Sequence, residues 1–258
     1  MSTIIYPSPI FGPVHSRRLG ISLGINLLPA DGKWCSFDCV YCECGFNADH
    51  RAHQPLPTED EVEQRLVKKL QEMQQEGLVP DVLTFAGNGE PTMHPRFPEV
   101  VRRVLAVRDA HCPNAKVSIL SNATQLHRPE VRQTLRLFDN NILKLDTVDP
   151  EYIQRVDRPC GHYDVQEQVR WMKEFDGALI VQTMFMSGEL DGRSVDNTGD
   201  AYVEPYLQAL QEIRPRQVMI YTIDRETPAE GLEKASPETL NAIADRIRAL
   251  GLDVSVSY

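Results

Sequence analysis

Short apolar runs alternate along the chain with longer stretches in which apolar residues recur at roughly helical spacing. Each short run predicts a strand, and most of the longer stretches predict helices. The six principal predicted strands are, in chain order, Gly20–Leu28, Asp81–Gly87, Lys116–Asn122, Asn141–Val148, Ala178–Met186 and Gln217–Ile223. A last short strand is predicted in Asp253–Tyr258. Regular alternation of apolar strands with helices predicts a parallel sheet covered by helices.

The clearest helix start in the sequence lies at Thr58. Glu61 follows three residues later, acidic residues fill the first turn, and Gly77 follows the last apolar position. A threonine followed by glutamate at this spacing is the signature of a capping box, and glycine commonly ends a helix. A helix from this threonine to this glycine is therefore predicted.

The chain shows no break in composition and no long structureless linker, so residues 1–258 are predicted to form a single domain. Residues 1–19 are an N-terminal extension, and residues 20–250 contain six βα units. Such a series fits either an open α/β sheet or a partial barrel, and in both folds ligands bind at the carboxyl ends of the strands. The segments GNGEPT, SNAT and DTVD and a cysteine-rich loop all follow predicted strands.

Composition narrows the class of protein. Of the 258 residues 41% are hydrophobic and 25% charged, and the formal charge of −10 argues mildly against an extended nucleic-acid surface. No apolar run approaches the ~20 residues that cross a bilayer, and the N-terminus lacks the features of a secretion signal. We therefore expect a cytoplasmic protein without membrane contact, in which clustered cysteines bind metal or perform redox chemistry.

Four of the six cysteines lie between Lys33 and Gly45, at positions Cys35, Cys39, Cys42 and Cys44. Three thiolates on one tight loop can hold an iron–sulfur cluster and leave one iron open to a small molecule. A structural zinc site usually needs a second, separate pair of ligands. The C-x-x-C pair of Cys39 and Cys42 also suits thiol redox chemistry. The spacing favours an iron–sulfur cluster and leaves a zinc site and thiol redox chemistry as open alternatives.

The arrangement Cys35-x3-Cys39-x-Tyr41-Cys42 resembles the signature of the radical S-adenosylmethionine (SAM) superfamily. The preceding run FGPVHSRRLGISLGINLLP is similar to the branch related to wybutosine-biosynthesis iron–sulfur oxidoreductases, whose best-known members modify tRNA. The resemblance implies a radical SAM core, a partial (β/α)6 TIM-like barrel with the cluster loop after its first strand. It also implies that Cys35, Cys39 and Cys42 bind a [4Fe–4S] cluster whose fourth iron chelates SAM. Cys44 lies outside this motif and is expected to be a partly buried thiol beside the cluster.

The same resemblance implies an activity. Reductive cleavage of SAM at the cluster would give methionine and a 5′-deoxyadenosyl radical, which abstracts a hydrogen atom from the substrate. The main alternative is a non-catalytic binding module in which all four clustered cysteines hold a stabilising zinc ion. A reduced flavodoxin or ferredoxin is the expected electron donor.

Residues at later strand ends are expected to contact SAM. The segment Gly87, Asn88, Gly89 and Glu90 resembles the family's Gly-Gly-Glu-Pro element, with Asn88 in place of the second glycine, and implies a site for the SAM amino group. Ser121 and Asn122 occupy the position from which the family contacts the ribose or the methionine carboxylate.

Lys144 and Asp146 share a face of the fourth predicted strand. A buried lysine needs a partner, and either Asp146 or the SAM carboxylate would serve. The pair therefore has two interpretations: it binds cofactor or substrate, or it is a structural ion pair.

Other polar residues near strand ends are candidates for substrate contacts, with packing as the alternative: Arg17, Arg18, Arg158, Gln182, Thr183, Tyr221, Thr222 and Arg225. His50 and His53 are expected in a solvated loop. The chain ends soon after the sixth unit, which predicts no auxiliary cluster and a poorly covered barrel mouth. Such a mouth suits a macromolecular substrate, RNA or protein.

Overall fold

The computed structural model describes residues 3–16, 20–49 and 51–258, so Arg17, Arg18 and His50 lie outside the described residues. The described residues form eleven strands: β1 Ile10–Ser16, β2 Gly20–Ile25, β3 Val82–Phe85, β4 Lys116–Ser121, β5 Asn140–Lys144, β6 Ile180–Met184, β7 Met186–Leu190, β8 Arg193–Ser194, β9 Gln217–Tyr221, β10 Leu232–Lys234 and β11 Val254–Ser257. Their α-helices are α1 Glu59–Gln75, α2 Phe97–His111, α3 Pro129–Leu135, α4 Pro150–Val156, α5 Val165–Lys173, α6 Asp200–Ile213 and α7 Pro237–Arg248.

Eight strands form one sheet in the order β1-β2-β3-β4-β5-β6-β9-β11. All neighbours from β2 to β11 pair in parallel, whereas β1 runs antiparallel to β2. The predicted parallel α/β sheet is confirmed, including the last short strand. Its architecture is that of a partial TIM-like barrel.

Apolar residues cover both faces of this sheet. The large core between sheet and helices includes Leu23, Leu83 and Val117 from the strands, with Leu66 and Met73 from α1. On the other face a smaller cluster joins Ile142, Ile180 and Met219. Near-continuous apolar strands are what a parallel sheet covered on both faces requires.

Helix α1 begins as the sequence predicts. The Thr58 side chain accepts from the Glu61 backbone N–H at 3.2 Å, and the Glu61 carboxylate accepts from the Thr58 N–H at 2.7 Å. Gly77 then adopts a φ of +72°, a conformation that favours glycine, directly after the last turn. The predicted capping box is confirmed.

The sequence prediction missed β1, α4 and a small second sheet in the order β10-β7-β8. The predicted strand Ala178–Met186 ends early because the chain leaves the main sheet after Met184. There the Asn197 side chain donates to the Met184 carbonyl at 2.8 Å and accepts from the Met186 N–H at 3.0 Å. An amide distant in sequence thus holds the bend between β6 and β7. In the described ranges, no helix is both long enough and apolar enough to cross a membrane.

Candidate active site

The carboxyl ends of β2 to β5 bring the predicted motifs into direct contact. The Trp34 N–H donates to the Asn88 carbonyl at 2.8 Å, which joins the cysteine loop to GNGEPT. The Ser36 and Thr124 hydroxyls lie 2.5 Å apart, which joins the loop to the segment after β4. The Asp38 N–H donates to the Asp157 carbonyl at 3.0 Å, after α4. The cysteine loop therefore contacts the segments after β3 and β4 and the residue that follows α4.

The loop presents three of its four thiols together. Cys35, Cys39 and Cys42 are each partly exposed, and a turn joins the last two through a 3.1 Å bond from the Cys42 N–H to the Cys39 carbonyl. Cys44 is buried, and its Sγ donates to the Gly87 carbonyl at 3.5 Å. Cys44 is thus more deeply buried than the partly buried thiol that the sequence predicts, and its place beside a cluster stays a prediction.

The thiols differ in their surroundings. Burial raises the pKa of the Cys35 thiol to about 12, and burial likewise raises the pKa of Cys39. The pKa of Cys42 is lowered, chiefly by the neighbouring thiol of Cys44 and further by the ammonium of Lys33, although burial opposes the shift. Binding of iron would keep all three sulfurs deprotonated, because the metal ligand is the thiolate.

The donor set fits a [4Fe–4S] cluster. Three partly exposed cysteines lie on one loop and the fourth, Cys44, is buried with its Sγ 3.5 Å from the Gly87 carbonyl, which matches a cubane with one iron open. Ligands of a single zinc ion each lie about 2.3 Å from it, whereas thiolates of a cubane bind different irons. Among the described residues, no group of three or more His, Cys, Asp or Glu side chains is arranged to hold one metal ion.

Two glycines let GNGEPT approach the cysteine loop. Gly87 and Gly89 have φ values of +144° and +139°, and a Cβ on Gly89 would lie 1.9 Å from the Trp34 carbonyl oxygen. A side chain there would collide with backbone atoms, which cannot move aside as a flexible side chain can. Glycine is therefore required where the two segments meet.

The Asn88 side chain is engaged with the chain itself. Its Oδ1 accepts from the Tyr6 N–H at 2.7 Å, and its Nδ2 donates to the carbonyls of Tyr6 at 2.9 Å and Pro29 at 2.8 Å. This explains the departure from the family's second glycine: the amide anchors the N-terminal segment. The backbone of Asn88 stays against the cysteine loop.

Glu90 ties the end of β3 to the end of β4. Its carboxylate accepts from the N–H of Thr92 at 3.0 Å, the Ser121 hydroxyl at 2.8 Å and the Asn122 N–H at 2.6 Å. Burial raises the pKa of Glu90, although these hydrogen bonds oppose the shift. Three predicted cofactor residues, Glu90, Ser121 and Asn122, are thus bonded to one another.

Asn122 links this group to the cysteines. Its Nδ2 lies 3.0 Å from the Ser36 hydroxyl and 3.5 Å from the Cys35 Sγ. Its Oδ1 accepts from the Thr124 N–H at 3.0 Å, which fixes the orientation of the amide. Of the predicted cofactor residues, Asn122 makes a side-chain contact with a predicted cluster ligand.

Lys144 and Asp146 are paired, and both hydrogen-bond to the hydroxyl of Tyr41, the aromatic residue of the cysteine motif. The Lys144 ammonium also donates to Asp157 Oδ1 at 2.7 Å. Burial raises the pKa of Asp157 to about 6, with Lys144 opposing the shift. The partners of the largely buried Lys144 are therefore Asp146 and Asp157.

Sequence reasoning missed Asp157, which lies thirteen positions after Lys144. A predicted buried lysine with one nearby carboxylate could have suggested that a second partner was needed. The sequence VDRPCG, however, does not indicate that its aspartate is that partner rather than an ordinary loop residue. Only the packing of the cysteine loop against the end of α4 places it here.

Several candidate substrate residues have structural partners. Thr183 donates to the Leu145 carbonyl at 2.8 Å, and Thr222 accepts from the Ala235 N–H at 2.8 Å. Arg225 pairs with Glu43 at 2.6 Å, and the Arg158 guanidinium lies 5.4 Å from the Phe46 ring centroid. These contacts favour the alternative that the four residues stabilise the structure rather than bind substrate. The partly buried Gln182 stands beside Lys144 in the strand register, and the role of Tyr221 stays a prediction.

The family resemblance extends over most of the chain. Residues 31–196 match the family model of the Radical SAM superfamily. A UPF0026 protein of Helicobacter pylori is 30% identical over 240 residues, which cover 91% of this chain and 72% of that protein. A UPF0026 protein of Methanocaldococcus jannaschii is 30% identical over 90% of this chain and 69% of that protein.

Solved structures share the fold. A radical SAM methyltransferase from Sphaerobacter thermophilus matches with a TM-score of 0.69 at 16% identity, over 92% of this chain and 66% of that one. Streptococcus suis SuiB bound to S-adenosylmethionine matches with a TM-score of 0.62 at 14% identity, over 88% and 49%. This chain thus spans about two thirds of the first protein and half of the second. The matches leave the wybutosine-related branch as a prediction.

Proposed function

This chain belongs to the radical SAM superfamily, and we propose that it cleaves S-adenosylmethionine reductively at a [4Fe–4S] cluster held by Cys35, Cys39 and Cys42. The observation that carries the proposal is the loop with three partly exposed cysteines and a buried fourth, Cys44, whose Sγ donates to the Gly87 carbonyl. When bound, the cluster and SAM supply one-electron cleavage of the sulfonium, which yields a 5′-deoxyadenosyl radical for hydrogen abstraction.

The other residues of the site position these groups. Gly87 and Gly89 allow backbone carbonyls to approach the SAM amino group, and Glu90 holds Ser121 and Asn122 in register beside the loop. Such fixed geometry is the main contribution that a protein makes to cofactor chemistry. Lys144 and Asp146 act one step away, because they orient Tyr41 and through it the cysteine motif.

The partners are part of the proposal. A reduced flavodoxin or ferredoxin in the cytoplasm donates the electron, and the substrate is a macromolecule, either RNA or protein. The small sheet β10-β7-β8 is formed by strands that follow β6 and β9 in the chain, and Val40, Met186 and Ile223 belong to one apolar cluster. The net charge of −10 supports a protein substrate over RNA.

The test is SAM cleavage by the protein reconstituted with iron and sulfide under anaerobic conditions. After reduction with dithionite, 5′-deoxyadenosine and methionine are measured by liquid chromatography. We expect a brown protein that forms both products in equal amounts. A full cluster that leaves SAM intact would contradict the proposal, and a colourless protein with one zinc would favour the zinc-stabilised binding module.

A further inference from the structure

Lys33 carries a buried charge inside the cysteine loop. The residue is only 3% exposed, although lysine is almost never fully buried unless it is paired. Its ammonium donates to the Gly45 carbonyl at 2.6 Å, and the nearest carboxylate oxygen, on Asp38, lies 3.4 Å away. That carboxylate also accepts from the Asn47 N–H at 2.7 Å. One carbonyl and one shared carboxylate are weak compensation for a desolvated cation.

The remaining compensation comes from the cysteines. Gly45, whose carbonyl binds the ammonium, donates its own N–H to the Cys42 carbonyl at 2.9 Å, and Asp38 directly precedes Cys39 in the chain. Although burial alone would lower the pKa of Lys33, the nearby sulfurs of Cys42, Cys35 and Cys39 and the carboxylate of Asp38 raise it. The buried ammonium thus lies within the loop that carries all three proposed ligands.

We propose that Lys33 is the counter-charge of the iron–sulfur cluster, a positioning residue that raises the cluster's reduction potential from within the cysteine loop. The inference rests on the proposed function, because it requires a cluster on these three cysteines. Reduction adds one negative charge to the cluster. A cation in a low-dielectric environment stabilises that charge strongly, and local charge and hydrogen bonds to sulfur are what set such potentials.

Asp38 and Asn122 have separate effects on the same cluster. Asp38 lies next to the ammonium and partly cancels its field, so removing the carboxylate should act in the opposite direction to removing the lysine. Asn122 donates to the Cys35 sulfur from another strand end and is left unchanged in the test. Lys33 differs from it in supplying a full charge.

The experiment compares reduction midpoints of reconstituted, full-length proteins by dye-mediated titration followed by electron paramagnetic resonance. Lys33→Gln removes the charge but keeps a donor for Gly45, and Lys33→Met removes both. At the potential where the wild type is half reduced, each variant should show at least a tenfold lower ratio of reduced to oxidised cluster. That ratio corresponds to 59 mV for a one-electron couple.

Two further variants complete the test. Lys68→Gln removes an equal charge from a side chain that is 70% exposed on α1 and should leave the ratio unchanged. Asp38→Asn should raise the ratio, since its amide oxygen still accepts from Asn47 while the negative charge is lost. If the Lys33 variants assemble no cluster, the Asp38 variant decides: an unchanged or lowered ratio overturns the inference.

The outcomes separate this inference from the proposed function. A wild type that binds no cluster, or that binds one and leaves SAM intact, overturns the proposed function. A wild type that cleaves SAM while Lys33→Gln keeps its midpoint overturns only the role of Lys33. A shift in Lys33→Met without one in Lys33→Gln would assign the effect to the Gly45 hydrogen bond and would also overturn the counter-charge.

Discussion

Two halves of the same sheet edge contain similar polar motifs, but the side chains of the two halves are used differently. The cysteine side comprises Lys33–Gly45, Gly87–Thr92 and Ser121–Thr124, and the lysine side comprises Lys144–Thr147, Asp157 and Thr183. On the cysteine side Cys35, Cys39 and Cys42 remain partly exposed. On the lysine side Asp146 and Asp157 are buried, and both pair with the partly exposed Lys144, beside an apolar cluster that includes Val40 and Met184.

The difference shows that a polar residue at a strand end is not by itself evidence of ligand binding. Lys144 and Asp146 satisfy each other and hold Tyr41, so they serve the site by supporting the loop. The thiols of Cys35, Cys39 and Cys42 do not form ion pairs with one another as Lys144 and Asp146 do. Groups committed to structure and groups left available for a cofactor therefore lie side by side.

The largest expected effect separates the two kinds of cysteine. Cys39→Ala should lose the cluster, because two thiolates of the loop cannot replace three. Iron and sulfide content after reconstitution measures this loss. Cys160→Ala is the matched control, since its exposed thiol lies 3.4 Å from the Asn47 amide beside the loop but outside the motif. Full cluster content in Cys39→Ala would show that the ligand set is wrong.

The second-largest expected effect tests whether the charged groups of the lysine side stabilise the fold. Lys144→Met would leave Asp146 and Asp157 buried without their cation, and breaking a buried pair in this way costs about 3–5 kcal/mol. Urea unfolding of the cluster-free protein at neutral pH gives the free energy of unfolding.

Lys173→Met is its control. That ammonium is exposed and pairs with Glu212 at 3.0 Å, so its removal should cost at most about 1 kcal/mol. Equal losses in the two variants would mean that the lysine side is not a structural network, and the contrast between the two halves would fail.

The smallest effect concerns Asn88, which belongs to the cysteine side but is committed to structure. Asn88→Ala removes the bonds to Tyr6 and Pro29 and should cost about 1–3 kcal/mol, because it leaves buried backbone groups without partners. Hydrogen exchange of the Tyr6 amide should quicken. Asn241→Ala, on α7, removes one exposed hydrogen bond, from the Tyr258 hydroxyl at 2.7 Å, so it should cost at most about 1 kcal/mol and leave exchange at Tyr6 unchanged. Unaltered exchange at Tyr6 in Asn88→Ala would contradict the anchoring role.

The sequence by itself determined much of this protein. The apolar periodicity predicted the parallel strands and their helices, and the Thr58 capping box predicted the start of α1. The spacing of Cys35, Cys39 and Cys42 indicated the family. These features depend on residues that are close in the chain, so local geometry and covalent spacing are enough to predict them.

Only the tertiary structure decided how the polar residues are used. Asn88 bonds to Tyr6 across 82 positions, Lys144 bonds to Tyr41 across 103, and β1 pairs with β2 although its sequence lacks a clear strand pattern. A hydrogen bond or ion pair forms with whatever group packing brings within reach, and no local pattern encodes that partner. For this reason the sequence placed Lys33 only beside the cysteines, whereas the fold buried its charge among them.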